Sequence, residues 1–230
     1  MADKVEYPKH EPGFGAGRVY EDDLNRNPRW ALNEGGLHFE RKSRVFKALS
    51  KIANRLDELD IPYVVIGSMA MFHHGYRRFT EDVDLVVRLS DLKRIYREVV
   101  GNGYRLKFPG SQGIRDDEFG VRIELMITGH YPGNDEPKPI SFPDPLDAFE
   151  LFDGVKVVTR STIIELKLAA GIGSLSRLRD IADVQDFIKH AYLPREIAAD
   201  LHPYVREKYI EHWHHAQSDR LYHDLARMPE

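Results

Sequence analysis

Asp82 and Asp84 stand one residue apart in the segment DVDLVV, whose other members are valine and leucine. A strand alternates its side chains, so both carboxylates face one side while Val83 and Leu85 face the other. Two like charges at that separation cannot both stay ionised at low cost in an apolar setting unless a cation lies between them. A hard divalent ion, Mg²⁺ or Mn²⁺, held by carboxylates and by substrate phosphate oxygens, removes the conflict. A solvent-facing strand with two hydrated aspartates is the plainer alternative. Upstream, Gly67 and Ser68 end the apolar run YVVIG and open a short helical segment, where free backbone N–H groups can hold a phosphate.

Ile66-Gly67-Ser68, an interval of thirteen residues, then Asp82-Val83-Asp84-Leu85 resembles the signature of the nucleotidyltransferase superfamily of the DNA polymerase β type. Its third carboxylate lies on a later strand between apolar residues, and VRIELM supplies Glu124, where polymerase-type members more often carry Asp. The string HGYRRFTEDVDL, with Gly75, Arg78 and Thr80, is similar to that of AbiEii-type and related minimal nucleotidyltransferases. Lys167, Arg177, Asp180 and Asp183 fit the later helical signature of the same group, with Arg179 as its second basic residue. The likeness spans roughly residues 60–190.

The resemblance implies an α+β fold with a nucleotidyltransferase-like mixed β-sheet flanked by helices and a C-terminal helical region. It implies metal-dependent transfer of a nucleoside monophosphate from an NTP to an acceptor hydroxyl, with release of pyrophosphate. Asp82, Asp84 and Glu124 would be the catalytic and metal-holding acids. Gly67, Ser68, Arg78, Thr80 and Lys167 would bind the nucleotide, supported by Arg177, Asp180 and Asp183. The acceptor would be RNA, such as a tRNA end, or a small molecule. An AbiEii-like toxin would bring an antitoxin with it, and a homodimer is the other partner expectation. A catalytically silent fold that binds a nucleotide or a partner is the alternative.

Each supporting residue also has an ordinary reading. Lys167, mid-helix among apolar neighbours, can snorkel past the core or pair with an acid. Arg177, Arg179, Asp180 and Asp183 fall at spacings that allow helix ion pairs. His212, His214 and His215 do not share the i, i+4 face of a ligand pair, so the sequence predicts an exposed face there and no metal site. Arg195, Tyr204, Arg206, Lys208, Tyr209 and Trp213 are the candidates for a basic, aromatic RNA groove, diluted by interleaved acids. GFGAG near residue 13 has neither a strand before it nor a helix after it, so no dinucleotide loop is read there.

Positioning these residues requires a sequence of elements. Residues 1–35, rich in Pro and Gly, predict a flexible arm with no assigned fold. Residues 36–160 predict the α/β core. It opens with an amphipathic helix through Val45, Phe46, Leu49, Ile52, Ala53, Leu56 and Leu59. Strands are predicted at YVVIG, DVDLVV, YRLKF, GVRIELMIT and GVKVVT, with the polar loop PGSQGIRDDEF between the third and fourth. Ser90 is the predicted cap of the helix after DVDLVV, and Thr162 with Glu165 a capping box for the helix holding Lys167. Residues 161–230 predict a helical tail.

The 230 residues are 42% hydrophobic, enough for a substantial core. With 33 Lys plus Arg against 37 Asp plus Glu, the net charge of −4 excludes a globally basic, unselective nucleic-acid binder. There is no cysteine, which removes disulfides and thiolate metal sites and fits a cytoplasmic location. The apolar stretch VVIGSMAMF falls well short of the roughly 20 residues of a membrane helix, and no signal-peptide pattern opens the chain.

Overall fold

The computed structural model describes residues 17–134, 136–147 and 149–225, with side chains described up to Ser218. The first helices are α1 (Tyr20–Arg26), α2 (Pro28–Phe39) and α3 (Arg44–Glu58). In α3 the apolar stripe from Val45 to Leu56 is buried, and Ser43 caps the start by accepting from the Phe46 N–H. β1 (Tyr63–Ile66) follows, buried along its whole length, and passes directly into α4 (Gly67–His73). Then come β2 (Asp82–Val87), α5 (Leu89–Glu98), β3 (Tyr104–Leu106), β4 (Ile114–Asp116), β5 (Arg122–Ile127), β6 (Phe149–Phe152) and β7 (Val155–Val158). The helical region holds α6 (Arg160–Gly173), a 3-10 turn at Leu175–Arg177, α7 (Leu178–His190), α8 (Ile197–Asp200) and α9 (Pro203–Leu225).

The described strands form one mixed sheet in the order β3-β4-β5-β2-β1-β7-β6. β2 lies between β1, antiparallel to it, and β5, parallel to it. This is the α+β class the sequence predicts, a mixed sheet flanked by helices with a helical region at the C-terminal end. A single apolar core runs from Tyr20 on α1 through the sheet to Ala216 on α9. No helix among the described residues is long and apolar enough to cross a membrane.

Several local expectations are corrected. Residues 20–35, to which the sequence assigned no fold, are largely helical: Tyr20 is fully buried and donates its hydroxyl to the buried Glu34. The rest of that arm and the GFGAG segment up to residue 16 lie outside the described residues. β4 sits inside the expected polar loop, because Ile114, Arg115 and Asp116 are all buried between β3 and β5. β6 was not expected. It pairs with β7 through a two-residue turn at Asp153-Gly154, both with positive φ, the geometry an Asp-Gly hairpin favours. Ser90 is not a cap, since α5 starts from the extended Arg88 without a side-chain cap. The cap of α6 is Thr159, which accepts from the Thr162 N–H, and Glu165 instead accepts from the His202 N–H.

Candidate active site

Ile66 ends β1 opposite Asp84 of β2, and across β2 the parallel register sets Asp84 beside Glu124 and Asp82 beside Arg122. Registered residues on neighbouring strands share a face, so Asp82, Asp84, Arg122 and Glu124 project to the same side. The intervening Val83 and Ile123 are fully buried on the other. Apolar alternation thus fixes which side the carboxylates take, and a one-residue slip would bury them in the core.

The chain turns sharply at Gly67, where φ is +65°. A Cβ there would collide with Asp84 Oδ2, so glycine is required both by the backbone and by the closeness of the acid. Gly113, which leads into β4, is constrained by closeness alone: its Cβ would lie 2.6 Å from Glu124 Oε2. Both glycines leave room for a carboxylate.

Asp82 accepts from the Thr80 hydroxyl at 2.8 Å and faces Arg122 Nη2 at 3.3 Å. Glu124 is engaged by Lys107 Nζ at 2.6 Å. Among the described residues, Asp84 has no such cation in contact. Burial pushes its carboxyl up to about 7, repulsion from Asp82 adds to the rise, Lys167 opposes it, Glu124 reinforces it and Arg177 opposes it. Near neutral pH this acid is therefore poised between its two protonation states.

Opposite the acids stands a cationic wall. Lys167 Nζ lies 2.8 Å from Asp180 Oδ1 and 2.7 Å from Asp183 Oδ2. Arg78 Nη2 meets the same Asp183 oxygen at 2.9 Å, and Arg177 Nε lies 2.8 Å from Asp180 Oδ2. Three cations share two carboxylates, leaving one positive charge in excess. Lys167 is thus not snorkelling but held in a buried network; Arg177 and Asp180 form an i, i+3 pair, while Asp180 and Asp183 also reach Lys167 and Arg78 outside their helix.

All eleven residues singled out in the sequence (Gly67, Ser68, Arg78, Thr80, Asp82, Asp84, Glu124, Lys167, Arg177, Asp180 and Asp183) line one cleft of about 790 Å³. Gly67 and Ser68 open α4 at its floor, while the helical region provides the wall facing the sheet. Two participants escaped the sequence reading. Arg122 lies two residues before Glu124, so the same alternation that places Glu124 carried a signal for it. Lys107 reaches Glu124 only through the order β3-β4-β5, for which no local pattern exists.

The carboxylates offer the hard oxygen donors a divalent cation takes, and the raised Asp84 registers the like-charge crowding such an ion would relieve. Yet among the described residues no group of three or more acids or histidines stands close enough to hold a metal ion. Glu124 is turned to Lys107 instead. The donor chemistry fits, with Glu124 as the member that must exchange its partner.

Several C-terminal candidates go to packing. Tyr209 is fully buried and donates to the Pro194 carbonyl, Trp213 Nε1 donates to the Leu193 carbonyl, and Arg206 donates to the Ala199 and Leu201 carbonyls. Lys208 pairs with Glu211. Arg195 and Tyr204 stay exposed, Tyr204 lining a small pocket with Lys208 among Glu207 and Glu211, so what remains of the candidate groove is diluted by acids. His212 is also buried rather than exposed, its Nδ1 2.9 Å from Gln185 Oε1 on α7.

No protein-family model matches the chain, and no curated protein does. Among solved structures, the chain is similar to ANT(2")-Ia in complex with adenylyl-2"-tobramycin, at 12% identity and a TM-score of 0.48 over 73% of this chain and 97% of that one. JHP933 from Helicobacter pylori is 18% identical, with a TM-score of 0.40 over 86% of this chain and 97% of that one. An antigenic nucleotidyltransferase-like protein from Paracoccidioides brasiliensis is 20% identical, with a TM-score of 0.36 over 62% and 74%. These likenesses are distant, at a level that assigns neither a family nor a chemistry.

Proposed function

We propose that the cleft transfers a nucleoside monophosphate from an NTP to an acceptor hydroxyl. The observation that carries this reading is the juxtaposition of Asp82, Asp84 and Glu124 on adjacent strands with Gly67, Ser68 and the cations Arg78, Lys167 and Arg177 in one cleft. The acceptor hydroxyl gives its proton to water, its oxygen forms a bond to the α-phosphorus, the bond from that phosphorus to the bridging oxygen breaks, and pyrophosphate leaves with the electron pair. Mg²⁺ or Mn²⁺ held by Asp82, Asp84 and Glu124 would supply charge stabilisation on the phosphoryl oxygens. Gly67 and Ser68 cradle the phosphates, and Thr80 fixes the Asp82 carboxylate by its hydrogen bond. Arg78 and Lys167, anchored by Asp183, face the triphosphate with surplus positive charge, so catalysis is mainly alignment and electrostatic stabilisation. The α/β core, residues 36–160, supplies the acids, and residues 161–230 supply most of the cationic wall.

The acceptor is either RNA, such as a tRNA end, or a small-molecule hydroxyl. A toxin acting on RNA beside an antitoxin, in a cytoplasmic setting, is the finer form of the RNA arm. The use of Tyr209, Trp213 and Arg206 in packing favours the small molecule. A second reading, a catalytically silent nucleotide- or partner-binding module, draws on the Lys107–Glu124 pair, which occupies the third acid.

Incubation with α-labelled NTPs and Mg²⁺, with total RNA in one arm and hydroxylated small molecules in the other, tests this directly. Label transfer that Asp84→Asn abolishes while the variant keeps its fold is the expected result. Transfer at near-normal rate by Asp84→Asn rules the mechanism out, and NTP-dependent thermal stabilisation without transfer by the wild type selects the silent module.

A further inference from the structure

The acid site has a neighbour on α1. Arg122, beside Asp82 in the β2–β5 register, is drawn two ways. Its Nη2 lies 3.3 Å from Asp82 Oδ2, longer than the roughly 2.7–2.9 Å of a well-made charged pair. Its Nε makes an ion-pair contact with Glu21 Oε1, though without the alignment of a hydrogen bond. Glu21 is in turn fixed. Arg115 Nη1 lies 2.7 Å from its other oxygen, and Arg115 is itself buried and bonded to the Gly120 carbonyl. The helix is pinned at the same place, with the Tyr20 N–H donating to the Gly120 carbonyl and the Tyr20 hydroxyl to Glu34. Glu21 therefore cannot follow Arg122 toward the cleft, and the guanidinium is stretched between a fixed acid and Asp82.

We propose that Glu21 is a positioning residue of the acid site: it holds Arg122 to a long hydrogen bond with Asp82, short of a closed pair, and so leaves Asp82 able to take a divalent cation. The proposal rests on the reading of Asp82 and Asp84 as cation-holding acids. Without the charge on Glu21, Arg122 closes on Asp82 Oδ2, and the Asp82 carboxylate, already accepting from Thr80 through its other oxygen, meets a competing internal cation. Glu21 also neutralises the buried Arg115, so its structural part and its hold on Arg122 are separated by the Arg122→Gln background. The restraint gives the helix a direct electrostatic connection to the cleft.

The test is a Mn²⁺ titration of the full chain, read from loss of the free-ion paramagnetic resonance signal, on wild type, Glu21→Gln, Arg122→Gln and the double variant. Glu21→Gln is expected to weaken Mn²⁺ binding roughly tenfold, the scale of groups that orient a metal ligand. Arg122→Gln is expected to bind at least as tightly as wild type. Adding Glu21→Gln to Arg122→Gln should then change nothing further, because the restrained cation is gone. An equal loss in both backgrounds, or no loss in either, overturns the proposal while leaving the acid site intact. A wild type that binds no Mn²⁺ overturns the cation reading, and this proposal with it. Should Glu21→Gln fail to fold, adding Arg115→Met to both Glu21→Gln chains removes the stranded buried cation and preserves the comparison.

Discussion

Asp84 is the site acid whose carboxyl is shifted most by its surroundings. Folding moves its carboxyl from about 3.8 to about 7, with burial the first cause and Asp82 the second. A group with a raised acid pKa binds its proton more tightly when folded, so below about pH 4 it contributes nothing and between about 4 and 7 it increasingly opposes folding. Asp84→Asn should accordingly stabilise the metal-free protein at pH 8, by on the order of 2 kcal/mol once the part facing cleft water is discounted. That advantage should shrink as the pH falls to 4. Denaturant titrations of both chains at the two pH values measure it. A difference that stays constant with pH would show that Asp84 is not the strained group. The same substitution that abolishes the proposed turnover should thus make the empty protein more stable, the mark of a residue kept for chemistry rather than for folding.

At the scale of elements, α2 steers the loop that carries Arg78 and Thr80. His38, fully buried, hydrogen-bonds the Arg78 carbonyl through Nε2 and Ser43 through Nδ1. Burial lowers its pKa to about 4, against the raising effect of the Arg78 carbonyl and with a further lowering from the Arg78 charge. The unfolded histidine, near 6.5, takes up its proton first, so this stability is complete above about 6.5 and is lost as the pH falls toward 4. His38→Gln keeps a donor for the carbonyl but cannot titrate. It should reduce the stability lost between pH 7 and pH 5 by about 1–2 kcal/mol, measured by denaturant unfolding; an unchanged slope would remove His38 from the account. These elements also show what the sequence reveals. α3 and β2 were legible because burial imposes a period of 3.6 or 2 on long runs of Val, Leu and Ile, and the acids stood out as exceptions to that period. α1 and α2 were not, because α2 mixes Gly35, Gly36 and a buried Glu34 with its apolar residues, and their docking depends on partners as distant as Gly120. β4 is hidden for a similar reason: its buried Arg115 and Asp116 depend on Glu21 and the Gly120 carbonyl, and on Lys51 with the turn after the strand. β6 did carry a local signal, the Asp153-Gly154 turn.

The whole molecule joins sheet and helical region through both apolar packing and charge. Val158 ends β7 next to α6, the core cluster runs unbroken across that junction, and Asp183 on α7 holds Lys167 of α6 together with Arg78 from the loop before β2. The cleft lies where the two parts share this boundary, since Asp82, Asp84 and Glu124 come from the sheet and Lys167, Arg177, Asp180 and Asp183 from the helical region. The chain should therefore unfold in one cooperative transition, rather than as a core of residues 36–160 followed by a tail of 161–230. Asp183→Asn tests the joint, because it leaves the buried Lys167 with Asp180 alone, an acid it shares with Arg177, and the partly buried Arg78 beside a neutral amide. It should cost about 3–5 kcal/mol, as removal of one partner from a buried ionic cluster does. Arg177→Ala, which takes away a half-exposed cation at the rim, should cost about 1 kcal/mol or less. If the Asp183 variant instead separates unfolding into two transitions, seen as non-coincident melts by far-ultraviolet dichroism and tryptophan fluorescence, the ionic cluster rather than the apolar core is what makes sheet and helices one unit. A single transition at the lowered midpoint assigns that unity to the core, with the charges serving mainly to hold Arg78 and Lys167 facing the acids.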